Sequence, residues 1–115
     1  MEECIFCKIS KGEIQSKFID ESDNFFVVDD VNPVAKGHCL IIPKEHYETI
    51  LDLPSELGKE LIELAKKQGK RLLDSGLADG VKLVNNNYEA SGQVVKHFHL
   101  HVIPEKLNIK RERHV

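Results

Sequence analysis

Val94-Val95-Lys96-His97-Phe98-His99-Leu100-His101-Val102-Ile103 alternates histidine with hydrophobe over its second half. Side chains of a strand point to opposite faces in turn, so a strand over 94–103 puts His97, His99 and His101 on one face. Phe98, Leu100 and Val102 share the other, where they are expected to pack on a helix. Three histidines and three hydrophobes in strict alternation are an improbable accident.

Outward from this stretch the chain reads as alternating strand and turn chemistry. Asn85-Asn86-Asn87 is a loop and Val81 to Val84 a strand before it. Ser55 to about Leu73 is the one long helix, with Leu57, Leu61, Leu64, Ala65, Leu72 and Leu73 on one face and Glu and Lys over the other. Pro54 suits its first turn and Gly76 its stop. Gly58 and Gly69 weaken it by about 1 kcal/mol each relative to Ala, so packing must hold it. His38 to Ile42, closed by Pro43, is another strand. Lys17–Asp20 and Phe25–Val28 read as a hairpin around the polar Glu21-Ser22-Asp23-Asn24. Asp29 to Pro33 is loop chemistry. Ile5 to Ser10 forms a short helical turn ended by Gly12. The expected class is α+β, with about five mostly antiparallel strands, one long helix and a short N-terminal helix.

A chain of 115 residues with 41% hydrophobic and 30% charged residues is expected to form a single domain over 1–115, with 104–115 a tail. No apolar run approaches the roughly 20 residues of a membrane span. The acidic start, Met1-Glu2-Glu3, is unlike a signal peptide, so cytoplasm is the expected location. A net charge of −3 makes a nucleic-acid partner a poor expectation. The basic stretch Lys106 to His114 reads as a solvated terminus, or as a contact with a partner subunit or phosphate. Three cysteines argue against a disulfide framework. Cys39, in an apolar run, reads as a small buried hydrophobe.

A histidine cluster of this kind serves a metal or a phosphate. On an unbent strand the Cα atoms of His97 and His101 lie ~13 Å apart, whereas zinc needs each ligand nitrogen within about 2.1 Å. At most an adjacent pair reaches one ion. A phosphoryl group with entering and departing oxygens spans several histidines, so spacing favours phosphate. Imidazole, with a pKa of about 6.5, is substantially neutral and nucleophilic at pH 7. It attacks phosphorus to give a nucleotidyl-histidine that water resolves. Cys4 and Cys7 form a C-x-x-C pair which, with two distant histidines, is a zinc-ligand set in type, with empty reduced thiols or a redox pair as its alternatives.

His97-Phe98-His99-Leu100-His101-Val102-Ile103 resembles the H-φ-H-φ-H-φ-φ signature of the histidine triad family, φ being hydrophobic. Gly37-His38-Cys39-Leu40-Ile41-Ile42-Pro43-Lys44 resembles that family's upstream block. Cys4-Ile5-Phe6-Cys7-Lys8-Ile9 resembles its opening, in a microbial, Hint-like branch. The resemblance runs from Cys4 to about Pro104.

It implies a histidine-triad fold and an enzyme in which His99 is the nucleophile, while His101 and His38 bind or polarise the phosphate. It implies that Asp30 meets the ribose hydroxyls, although a turn role beside Pro33 is its plain alternative. Ile5, Phe6, Ile9, Val28 and Val31 match positions lining a purine pocket; from the residues alone they are simply core. Asn86 and Gln93 match phosphate-side polar positions, with a turn role the rival for Asn86. The resemblance further assigns His46 and His97 to Cys4 and Cys7 as ligands of a structural zinc, and implies no organic cofactor. The implied activity is hydrolysis of adenosine 5′-monophosphoramidates or similar adenylates by a homodimer built through the Ser55–Leu73 region. A dinucleoside polyphosphate hydrolase of the Fhit type, a nucleotidyl transferase and a nucleotide-binding scaffold are the alternatives. Two positions depart from the Hint pattern: Val94 stands where a serine is common, and Lys96 where an aromatic is common.

Overall fold

The computed structural model describes residues 4–107. Its elements are α1 (Ile5–Ser10), β1 (Asp20–Glu21), β2 (Phe25–Asp29), β3 (Cys39–Pro43), α2 (Gly58–Asp74), β4 (Gly80–Val84) and β5 (Leu100–Glu105), with single 3-10 turns at Ser55–Leu57 and Glu89–Ser91. The strands form one sheet in the order β1-β2-β3-β5-β4, antiparallel at every pairing.

The apolar runs of β2 and β3 follow from burial on both faces. Phe25, Val27, Cys39 and Ile41 point into a cluster with Leu64, Ala65 and Leu72 of α2. Their neighbours Phe26, Val28, Leu40 and Ile42 point the other way, into a cluster with Phe6 of α1. Both helices thus face the sheet from opposite sides. The register pairs Leu40 with His101 and Cys39 with Val102. His101 therefore faces the α1 side, while Val102 joins the α2 core, with Leu100 packed against it.

Several expected boundaries move. β5 begins at Leu100 rather than Val94, so His97 and His99 precede the strand. Their backbone is engaged elsewhere: Phe98 N–H donates to the Tyr47 carbonyl at 2.6 Å, and the His99 carbonyl accepts from Asn85 Nδ2 at 3.1 Å. The first hairpin arm is ladder-paired only at Asp20–Glu21, not over Lys17–Asp20. The long helix opens with the 3-10 turn and becomes α-helical at Gly58. Leu73, expected on its buried face, is 45% exposed because Leu72 takes the core position. Cys39 is fully buried. Of the basic tail, residues 108–114 lie outside the described residues.

Gly37 joins the core to the site. Its φ of +100° lies in the left-handed region, and an added Cβ would stand 2.7 Å from Leu72 Cδ2 and 3.2 Å from Leu77 Cδ1. Only glycine combines that backbone with that clearance. Gly37→Ala is expected to destabilise the fold by on the order of 2 kcal/mol or more, read as a lower urea midpoint. An unchanged midpoint would show that Leu72 moves aside freely.

Candidate functional site: a thiol–imidazole cluster joined to a histidine-lined cavity

The triad histidines diverge into two constellations. Cys4 at the start of α1, Cys7 within it, His46 after β3 and His97 before β5 place one ligand atom each within 4.8 Å of the others. His97 Nδ1 lies 3.3 Å from Cys4 Sγ and 3.5 Å from Cys7 Sγ, and His46 Nδ1 lies 3.2 Å from Cys7 Sγ. A tetrahedral zinc with bonds of about 2.3 Å to sulfur and 2.05 Å to nitrogen sets sulfur–nitrogen separations of about 3.6 Å. These three sulfur–nitrogen distances stand within a few tenths of an ångström of that value. His97 Nε2–H donates to the Pro43 carbonyl at 2.9 Å, which leaves Nδ1 as a bare lone pair aimed at the thiols. Burial, then a hydrogen bond with Cys4, pushes the Cys7 thiol up to about 11. Burial chiefly pushes His97 down to about 4, so it is a neutral ligand at pH 7.

His99 and His101 belong to the second constellation. His99 Nδ1–H donates to the carbonyl of His97 at 2.8 Å, which leaves Nε2 unprotonated. Phe6 packs edge-on against both His97 and His99, at centroid distances of 5.7 and 5.3 Å. The Val34 N–H donates to His38 Nδ1 at 3.1 Å, so the His38 proton sits on Nε2. That nitrogen faces His101 Nδ1 at 2.9 Å and Asp30 Oδ2 at 3.2 Å. His101 Nδ1 therefore accepts, and its proton is on Nε2. Burial, with His99 and His38 beside it, holds His101 down at about 4, neutral at pH 7. Asp30, His38 and His101 also converge closely enough for a metal. The Val34 N–H argues against one, because it takes up Nδ1 and keeps a proton on the Nε2 an ion would need.

A cavity of about 410 Å³ opens beside this cluster, lined by Ile5, Phe6, Ile9, Val28, Asp30, Val31, Leu40, Asn86, Gly92, Val94, Val95, His99 and His101 among others. Every residue assigned above to a nucleotide pocket lines it except Gln93. Gln93 is buried with both ends of its amide engaged: Oε1 accepts from the Tyr88 N–H and Nε2 donates to the Glu48 carbonyl, each at 2.6 Å. His38 stands behind His101. The Asp30 carboxylate also accepts from the Asn32 N–H at 2.9 Å through Oδ1.

The sequence reading missed Asn85, which holds the His99 carbonyl, and Asn87, which bonds Asn85 and the Ile50 N–H. Its available signal was three consecutive asparagines after a strand, side chains apt to bond nearby backbone.

The HIT domain profile matches residues 11–108. The chain belongs to the HIT family. It is 43% identical to an uncharacterised HIT-like protein of Methanocaldococcus jannaschii over 101 residues, 88% of this chain and 78% of that one. It is 38% identical to an adenosine 5′-monophosphoramidase of Candida albicans, covering 90% of this chain and 70% of the relative. With an adenylylsulfatase of Arabidopsis thaliana it shares 36% identity over 90% of its length, spanning 53% of that protein. The crystal structure of a HIT family protein from Bacillus anthracis superposes with a TM-score of 0.87 at 37% identity, over 91% of this chain and 74% of that one. A zinc-bound histidine triad protein from Mycobacterium smegmatis does so with a TM-score of 0.85 at 35% identity, over 91% and 76%. This HIT domain therefore shares the family's open antiparallel sheet, and relatives named as nucleotide hydrolases stand beside it. Among the described residues no helix is long and apolar enough to cross a membrane.

If the four-donor cluster holds zinc, metal analysis of purified protein should find about one equivalent, and Cys7→Ser almost none. In chelated protein His97 should be a source of acid sensitivity. Its folded pKa lies below its unfolded one, so its contribution is full above pH ~6.5 and is lost as pH falls through about 4. That contribution is on the order of 3 kcal/mol, seen as a urea midpoint that drops between pH 6.5 and 4. A flat midpoint across that window would contradict the assignment.

Proposed function

We propose that this HIT protein hydrolyses adenosine 5′-monophosphoramidates or related adenylated compounds through a covalent nucleotidyl-histidine on His99. The observation that carries the reading is the His99 Nδ1–H bond to the His97 carbonyl, which turns an unprotonated Nε2 into the available nucleophile beside an apolar cavity. The apolar wall of Ile5, Phe6, Ile9, Val28 and Val31 suits a flat purine. Asp30 retains lone pairs for ribose hydroxyls after meeting Asn32 and His38. Asn86 reaches the phosphate side; Gln93 supports it through the loop rather than by contact.

In the first step Nε2 of His99 bonds to phosphorus as the phosphorus–leaving-group bond breaks. The His101 Nε2–H donates to the phosphoryl or departing atom, and the His38 Nε2–H supports His101 from behind. The departing group takes up a proton from solvent as it leaves; water then attacks phosphorus, the phosphorus–nitrogen bond breaks, the proton shed by the water returns to solvent, and His99 is restored as AMP leaves. Zinc in the four-donor cluster would be structural: it would tie α1 to His46 and His97 without an open coordination position. His97 would then hold its carbonyl still against His99.

Lys96 favours a second reading, as a dinucleoside polyphosphate hydrolase. It lines a neighbouring groove with Cys4, Ile5, His46, Glu48, Val94 and Val95. Three of these, Ile5, Val94 and Val95, also line the cavity. A cation there suits an anionic leaving group. We also propose a homodimer through the exposed edge of the sheet, where β4 presents Val81 and Leu83 at 38% and 52% exposure and α2 packs on it at Gly69.

Incubation with a panel of adenylates and dinucleotides, followed by mass spectrometry of the peptide holding residues 97–103, should trap an adenylyl group on His99. His99→Ala should lose turnover by at least a thousandfold and lose trapping, with its melting transition retained. Normal turnover in His99→Ala would end the nucleophile assignment. Preference for a dinucleotide would favour the second reading, and binding without turnover a scaffold role. Leu83→Asp should shift the protein from dimer to monomer in sedimentation; a wild-type monomer would end the dimer proposal.

A further inference from the structure

Segment 46–50 and loop 85–93 are bonded together between the metal cluster and the cavity. Segment 46–50 carries His46 at one end. Its Tyr47 carbonyl accepts from the N–H of Phe98, between His97 and His99, at 2.6 Å. Its Glu48 carbonyl accepts from Gln93 Nε2 at 2.6 Å. Its Ile50 N–H donates to Asn87 Oδ1 at 2.8 Å. From there Asn87 Nδ2 donates to Asn85 Oδ1 at 2.7 Å, and Asn85 Nδ2 to the His99 carbonyl at 3.1 Å.

The loop is also strained. Tyr88 has φ +72° and ψ 161°, a conformation essentially reserved for glycine. Its ring is about half exposed, so burial does not hold it there. Gln93 clamps it from both sides: the Tyr88 N–H donates to Gln93 Oε1 at 2.6 Å, and the Gln93 N–H donates back to the Tyr88 carbonyl at 3.1 Å, a carbonyl that also accepts from the N–H and hydroxyl of Ser91 within the loop. Such strain persists only where the surroundings over-determine it. Gly92 within this clamp and Val94 and Val95 just after it line the cavity alongside His99.

We infer that Gln93 is a positioning residue which, by stapling the strained Tyr88 loop to segment 46–50, couples occupancy of the Cys4–Cys7–His46–His97 cluster to the order of the loop lining the catalytic cavity. Metal that fixes His46 fixes the Glu48 carbonyl, the Glu48 carbonyl fixes Gln93, and Gln93 fixes the loop. Linkage makes the effect mutual: a nucleotide that orders the loop tightens the hold on metal. The nucleotide half of this inference rests on the function proposed above; the loop half does not.

Amide hydrogen exchange separates the two. Chelating the metal from wild-type protein should accelerate exchange at least tenfold in residues 85–95 while β2 and β3 stay protected. Zinc-treated Gln93→Met should show the fast loop without chelation, and either protein should bind AMP about tenfold more weakly than zinc-loaded wild type. Should Gln93→Met fail to fold, Gln93→Glu keeps the acceptor for Tyr88, loses the donor to Glu48 and should give the same pattern. Loop exchange unmoved by chelation, or by the substitution, would overturn the coupling. So would acceleration spread equally over β2 and β3, or wild-type protein that takes up no zinc. A loop that responds in a protein that binds no AMP would uphold the coupling and sink the nucleotide reading.

Discussion

One ring nitrogen of each triad histidine is committed to a specific partner, and that commitment decides what the other can do. His97 gives its Nε2 proton to Pro43 and turns a bare Nδ1 on two thiols. His99 gives its Nδ1 proton to the His97 carbonyl and keeps a bare Nε2. His101 accepts at Nδ1 from a His38 whose tautomer is set by the backbone N–H of Val34, four residues before it. On the function proposed above, three identical side chains thereby serve as a metal ligand, a nucleophile and a proton donor. Mutation of their partners acts on tautomer before it acts on stability, as second-shell contacts do at metal sites.

Much of this was legible in the residues, for reasons that differ from element to element. The alternation at 97–102 is a two-residue period that survives whether or not the backbone joins a ladder, so the sidedness of the histidines was readable although the strand was not. β5 starts late because the residues before it, Phe98 and His99, bond Tyr47 and Asn85, partners 51 and 14 positions away that no local pattern announces. Strand spacing excluded a single ion shared by His97 and His101, and the two constellations are indeed separate. The same spacing was silent on which atoms meet. Gln93 shows the limit: a polar residue beside the triad looks like a ligand to phosphate, yet its amide is consumed by Tyr88 and Glu48. Only the fold brings a carbonyl 45 residues away to its side.

The continuous hydrophobic runs of β2 and β3 are informative in the opposite sense. An antiparallel strand with one wet face alternates apolar and polar residues. Phe25-Phe26-Val27-Val28 and Cys39-Leu40-Ile41-Ile42 do not, because α2 covers one face and α1 with the cavity wall covers the other. The cavity wall and the second core are therefore the same surface. Phe6, Val28 and Leu40 cannot be divided between packing and binding. A substitution there changes both, whereas His99 and Asp30 stand where chemistry can be altered with little loss of core.

Electrostatics completes the division. A net charge of −3 gives the chain no long-range pull on an anion. Burial keeps His97 and His101 neutral at pH 7, so those two rings add no positive charge to the site. A phosphate entering this cavity would be held by aimed N–H donors rather than by charge, and aimed donors are worth only as much as their alignment. That is why so much of the polar chemistry around the site is spent on backbone: among the described residues no buried side-chain nitrogen or oxygen lacks a partner. A site that relied on charge could tolerate a loose loop. One built on aimed donors cannot, and the asparagines, Gln93 and the thiol–imidazole cluster supply the rigidity that charge does not.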